Sequence, residues 1–110
     1  MKEDIVTGGL YAFREPDGRY RVIKVLVIDR HAVHLRKYAT RFDQLPSSIR
    51  SSDLSLDGSG SAEGFGIGHF PLARAAFDQD GKVLIGHERV SDEELDGYRL
   101  WAGIDSPMSE

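Results

Sequence analysis

Tyr20–Tyr38, YRVIKVLVIDRHAVHLRKY, is the stretch on which the fold turns. From Tyr20 to Ile28 it is dense in β-branched and aliphatic side chains (Val22, Ile23, Val25, Leu26, Val27, Ile28), which suit a pleated sheet better than a helix. Alternation places Val22, Leu26 and Ile28 on one face and Ile23, Val25 and Val27 on the other. Both faces are apolar and both need cover, so the segment reads as a central strand. Asp29-Arg30-His31 interrupts the run. Ala32–Tyr38 then reads as the returning strand, with Val33 and Leu35 toward the core and His34 and Arg36 toward water.

Upstream, Gly8-Gly9 leads into a first strand, Leu10–Arg14, and Glu15-Pro16-Asp17-Gly18 supplies turn chemistry. Residues 9–42 are therefore expected to form a three-stranded meander. Its middle strand would span about 30 Å at ~3.3 Å per residue. That is long for so short a chain, so the strand is expected to bend and the sheet to curl into a small barrel of the SH3 type.

Downstream, residues 43–68 hold seven serines and five glycines and read as a mobile Ser/Gly-rich loop, in which Leu54 and Leu56 could form a short edge strand. Leu72–Phe77 follows a proline and is rich in helix formers, which gives one or two helical turns; a strand paired through Gln79-Asp80-Gly81 is the alternative. Lys82–Glu88 reads as a further strand with a bulge at Gly86. Ser91 and Glu94 make a capping box, and Val90 and Leu95 stand at the staple positions. Asp92, Glu93 and Glu94 occupy the first turn, where the helix dipole favours negative charge. Leu95, Tyr98 and Trp101 form one apolar stripe, and Gly103 is placed to stop the helix. The expected whole is one α+β domain over residues 1–110: a curled antiparallel sheet of four or five strands, an SH3-like small barrel, with the Ser91–Ala102 helix packed on it. Residues 104–110 read as a flexible tail.

Composition bounds the function. At 110 residues, 40% hydrophobic and 29% charged, the chain suits one globular domain with a modest core. Lacking cysteine, it has no disulfide, thiolate zinc site or cysteine nucleophile. MKEDIVTGG contains no apolar run of signal-peptide length. The longest aliphatic run, Val25–Ile28, falls far short of the roughly 20 residues of a membrane span. The expectation is a cytoplasmic protein with no membrane partner. The net charge of −4 is uneven: residues 14–41 carry eight basic groups against three acids, +5, which leaves −9 for the remainder.

No catalytic, metal or cofactor motif emerges. His31 and His34, three apart in or near a strand, point to opposite faces and make a poor metal pair. His69 and His87 would share a site only if the last strand approached the His69 segment. Asp53-x-Ser55-x-Asp57-Gly58 starts like a calcium loop, but Gly64 stands where the twelfth-position acid belongs. Gly64-Phe65-Gly66-Ile67-Gly68 lacks the Lys-Ser/Thr of a phosphate-binding loop, and no Gly-x-Ser-x-Gly elbow occurs. Tyr98 and Trp101 read as core residues before interface anchors.

The leading expectation is a non-enzymatic interaction module with a protein partner. Asp43, Asp53, Asp57 and Glu63 would lie on an acidic surface that steers a basic partner. The alternative is RNA or another polyanion on Arg19, Arg21, Lys24, Arg36 and Lys37, with Tyr20 and Tyr38 as stacking surfaces. Alternation and the acidic balance weigh against nucleic acid, since Arg21 and Lys24 face opposite ways.

GGLYAFREPDGRYRVIKVLVIDRHAVHLRKYATRF resembles the opening meander of small uncharacterised bacterial proteins, and GIGHFPL and VSDEELDGYRLW resemble their continuation. The meander is also loosely similar to that of bacterial immunity proteins that neutralise contact-delivered toxins. The resemblance implies an SH3-like β-fold and brings no catalytic residue with it.

Overall fold

The β-branched run folds as the strand that its composition predicts. In the computed structural model, which describes residues 5–30, 32–47, 49–54, 66–77 and 81–105, β1 (Gly9–Arg14), β2 (Tyr20–Ile28) and β3 (Ala32–Phe42) form the antiparallel meander. The β1–β2 turn closes through Gly18 N–H to the Glu15 carbonyl and Glu15 N–H to the Arg19 carbonyl. Gly18 takes φ +90°, which a side chain would resist. At the next turn Asp29 Oδ1 accepts the Ala32 N–H at 2.7 Å, so the residue that breaks the apolar run also fastens the hairpin.

Beyond the meander come β4 (Ile67–Ala73), one helical turn α1 (Arg74–Phe77), β5 (Val83–His87), a 3₁₀ turn at Glu93–Leu95 and helix α2 (Asp96–Asp105). A further 3₁₀ turn spans Ser51–Asp53. β4 pairs with β3 and β5 with β1, giving the order β4-β3-β2-β1-β5. β2 is therefore the central strand, and Val22, Ile23, Val25 and Leu26 are buried. On one face Tyr11, Ile23, Val25, Val33 and Leu35 pack with Phe77 of α1. On the other, Leu10, Ala12, Val22 and Tyr38 pack with Ile49, Leu54 and Ile85.

Several expectations change. The sheet is open: β4 and β5 are its edges, and the described strands do not close into a barrel of the SH3 type. Segments on both faces supply the cover that closure would otherwise provide. Ile28 packs with Ile23 and Val25 rather than with Val22, because the β2–β3 register shifts between Val25 and Val27. The extra residue, Leu26, reverses the alternation beyond it. Residues 72–77 divide between the end of β4 and the single turn of α1, and Ile67 already belongs to β4. The Gly86 bulge is present: Leu10 pairs with Gly86 and Tyr11 with Leu84, which leaves Ile85 over. α2 continues two residues past Gly103, to Asp105. Among the described residues no helix is long and apolar enough to cross a membrane.

Candidate functional site

The face of β3 that carries His34 lies under α2, and this corrects the expectation that His34 faces water: its exposure is 0%. A buried imidazole needs partners for both nitrogens. Nε2 lies 2.7 Å from Asp29 Oδ2, and Nδ1 lies 3.0 Å from His69 Nε2. The two rings are inclined by only 10°, with centroids 5.2 Å apart. The nitrogen–nitrogen contact takes up most of that separation, so the rings lie edge to edge in nearly one plane. Their lone pairs point at each other and not toward a third point, which suits a shared proton and not a chelated metal. Consistent with this, the described residues contain no cluster of three or more metal-ligating side chains.

Two features aim His69 at His34. The β3–β4 register shifts between Leu35 and Lys37, and Gly68-His69 stand opposite Arg36 in the resulting bulge. Arg36 Nε donates to the Gly68 carbonyl at 3.2 Å and holds that bulge. Above it, α2 approaches so closely that a Cβ on Gly97 would sit 2.6 Å from His69 Cβ. Tyr98 and Trp101 complete the enclosure, each with its ring centroid 4.7 Å from that of His34 at a steep angle. Burial, followed by the neighbouring His34, lowers the His69 pKa below the ordinary histidine value. Because the Asp29 carboxylate can only accept, His34 carries a proton on Nε2. In the neutral pair, His69 Nε2–H then donates to His34 Nδ1, leaving His69 Nδ1 as the outer acceptor.

A second polar cluster joins β2 to the start of the C-terminal helical segment. Lys24 is 1% exposed, and its Nζ lies 3.0 Å from both Glu94 carboxylate oxygens and 3.0 Å from the Arg89 carbonyl, with Glu88 Oε1 at 3.8 Å. Glu94 also completes the capping box: its Oε1 accepts Ser91 N–H at 2.8 Å, and its own N–H donates to Ser91 Oγ at 3.2 Å. Burial would raise the Glu94 pKa, but hydrogen bonds from Ser91 N–H and Lys24 Nζ, together with the Lys24 charge, outweigh it and hold the group below its ordinary value. Tyr38, on the same face, is pushed up to about 12 by burial and then by the nearby Glu94 carboxylate. A recess lined by Arg89, Val90, Ser91 and Asp92 adjoins this cluster and brings no nucleophile–base pair together.

The residues of the expected basic face each have their own neighbours. Lys24 is committed to Glu94, and Arg21, 5% exposed, lies 3.5 Å from Glu15. Glu15 also lies 3.1 Å from Arg41, so one acid of the first turn serves two of the meander's cations. Lys37 stands over the Phe13 ring at 5.7 Å, and burial followed by the Arg21 charge lowers its pKa. Arg36 Nε donates to the Gly68 carbonyl, and the backbone N–H of Arg19, not its guanidinium, donates to Asp17 Oδ1 within the turn. Of the expected acidic surface, Asp43 and Asp53 are exposed, and Asp53 Oδ2 accepts Arg50 N–H at 3.2 Å. Asp57 and Glu63 lie outside the described residues, as does His31. His87, on β5, bonds the Thr7 carbonyl and stands at the opposite sheet edge from His69.

The residues that sequence reasoning missed are His34 as a buried bridge and Lys24 with Glu94 as a buried pair. For Lys24 a signal was present: a cation inside an apolar strand covered on both faces needs a carboxylate. Comparison with family models, curated proteins and solved structures finds no match to this chain.

Proposed function

We propose that the chain is a non-enzymatic protein-interaction module, accessory or immunity-like, that takes an extended segment of a protein partner along the β5 edge. The observation that carries this reading is the edge itself, which pairs only with β1 among the described strands. β5 ends the sheet, and its successive residues Val83 and Leu84 are each 42% exposed. An edge strand offers main-chain donors and acceptors to an added strand, and neighbouring apolar side chains supply contact area on both faces. The acidic balance of the chain, with Asp43 and Asp53 exposed, would steer a basic partner toward it. Register shifts of the kind found between β2 and β3 bend a strand, which supports an SH3-like curvature of the meander as part of this reading.

The test is affinity capture from the native host with the wild-type chain beside Leu84→Lys, followed by titration of any retained protein. The lysine places a charge at the contact while leaving the central strands intact. A partner that binds the wild type and loses about tenfold or more in affinity to the variant, ~1.4 kcal/mol, supports the reading. Equal binding by both chains removes β5 from the interface. Capture of no protein, together with turnover in a broad substrate screen, overturns the module reading altogether.

A further inference from the structure

The Asp29–His34–His69 chain accommodates one added proton without breaking, but not two. In the neutral pair a single hydrogen bridges His34 Nδ1 and His69 Nε2 across 3.0 Å. One added proton leaves that bridge in place, since it can reside on the outer nitrogen of His69 or be shared along the chain, with the Asp29 carboxylate at the far end as counter-charge. A second added proton sets N–H against N–H at the same contact and puts two cations side by side. The rings must then separate. His69 has no room to retreat upward, because the Gly97 backbone sits directly over its Cβ.

We propose that protonation of the His34–His69 pair is an acid-operated latch that releases helix α2 from the sheet. α2 rests on these two rings through Tyr98 and Trp101, whose centroids lie 4.7 Å from His34 and 6.1 and 6.2 Å from His69. The charged and titratable groups around the pair come from each neighbouring element. Asp29 at the β2–β3 turn places its carboxylate 2.7 Å from His34 Nε2. Arg36 of β3, bonded to Gly68, opposes further positive charge. Arg74 of α1 donates to the Asp29 carbonyl at 3.2 Å. From α2 comes the Tyr98 phenol, while β2 presents the apolar Val27 opposite His34.

The sign follows from proton counting. Unfolded histidines take up their protons around pH ~6.5. Burial and the neighbouring His34 lower the His69 pKa in the fold. At His69 the fold thus binds protons less readily than the unfolded chain does just below that pH, and the stability that this residue contributes falls as pH falls. The latch is fully closed above about pH 6.5 and loosens on acidification.

The chain's single tryptophan, Trp101, lies on the pair and reports its state directly. The experiment follows Trp101 emission, histidine ring proton shifts and α2 amide exchange from pH 7.5 to 5.0. After correction for intrinsic chemistry, α2 opening should increase about tenfold per pH unit for each coupled proton, relative to β2. His69→Gln keeps an N–H donor for His34 Nδ1 but cannot become a cation, so its α2 should stay docked over the same range. The proposal is overturned if wild-type α2 opening is independent of pH, or if a folded His69→Gln chain retains the full transition. If His69→Gln does not fold, the wild-type spectra still decide: α2 release that does not coincide with a histidine titration step also overturns it. The β5 edge plays no part in this readout, so failure here leaves the partner reading standing, and the reverse also holds.

Discussion

Lys24 shows how a single side chain can set the terms for two distant segments. Its ammonium group is sealed between β2 and the 89–94 segment, with Glu94 on one side and the Arg89 carbonyl on another. Removing one partner strands the other charge in a place that water does not reach, which typically costs about 3–5 kcal/mol. Replacing both by apolar groups of similar shape avoids that penalty. Lys24→Met and Glu94→Leu should therefore each lower the urea midpoint substantially, while the two together should destabilise by clearly less than the sum. Additive losses would show that the charges act independently. The sign of the pH effect also follows: with its folded pKa lowered, Glu94 contributes stability above the unfolded carboxyl value near ~4.3 and loses it as pH falls through the folded value. That loss begins below the pH of ~6.5 at which unfolded histidines take up their protons. In the sequence, Lys24 looked like part of a basic surface because local charge counting cannot see a carboxylate seventy residues away.

At the scale of elements, what the sequence shows is what the backbone decides locally. The strand at β2, the Pro-Asp-Gly turn, the Gly86 bulge and the Ser91–Glu94 capping box are all set within a few residues, and all appear in the structure. The bulges at Leu26 and at Gly68-His69 were not legible, because an extra residue in one strand is defined only against its partner. Each matters to the site: the first returns Ile28 to the Tyr11 side, and the second aims His69 at His34. The burial of His34 was hidden for the same reason, since it depends on where α2 comes to rest. Gly97→Ala tests that seating through two opposed effects. Alanine improves helix propensity by about 0.8–1.0 kcal/mol. The added methyl would also sit 2.6 Å from His69 Cβ, and overpacking of that kind costs about 1–3 kcal/mol. The steric term should win, giving a net loss in thermal unfolding and a change in Trp101 emission. A net gain would mean that α2 does not press on His69.

Across the whole molecule, stability should be graded outward from β2. That strand has hydrogen-bonded neighbours on both sides and side chains buried on both faces. β4 and β5 each have one neighbour, and Ile67, Val83 and Leu84 remain more than two-fifths exposed. α2 reaches the sheet through the His34–His69–Tyr98–Trp101 cluster, and the turn before it through Lys24–Glu94. Amides that open only by global unfolding belong where cover is complete, and edges and docked helices open at lower cost. Native-state hydrogen exchange at neutral pH should therefore rank β2 slowest, with β1 and β3 next and β4 and β5 faster. α2 should open as a separate unit, because its attachment is a small cluster and not a continuous core. Removing the Lys24–Glu94 pair should bring α2 opening closer to zero free energy while leaving the order of the strands unchanged. β5 amides as slow as those of β2 would show that this edge is already covered within the chain, and would count directly against a partner strand adding there.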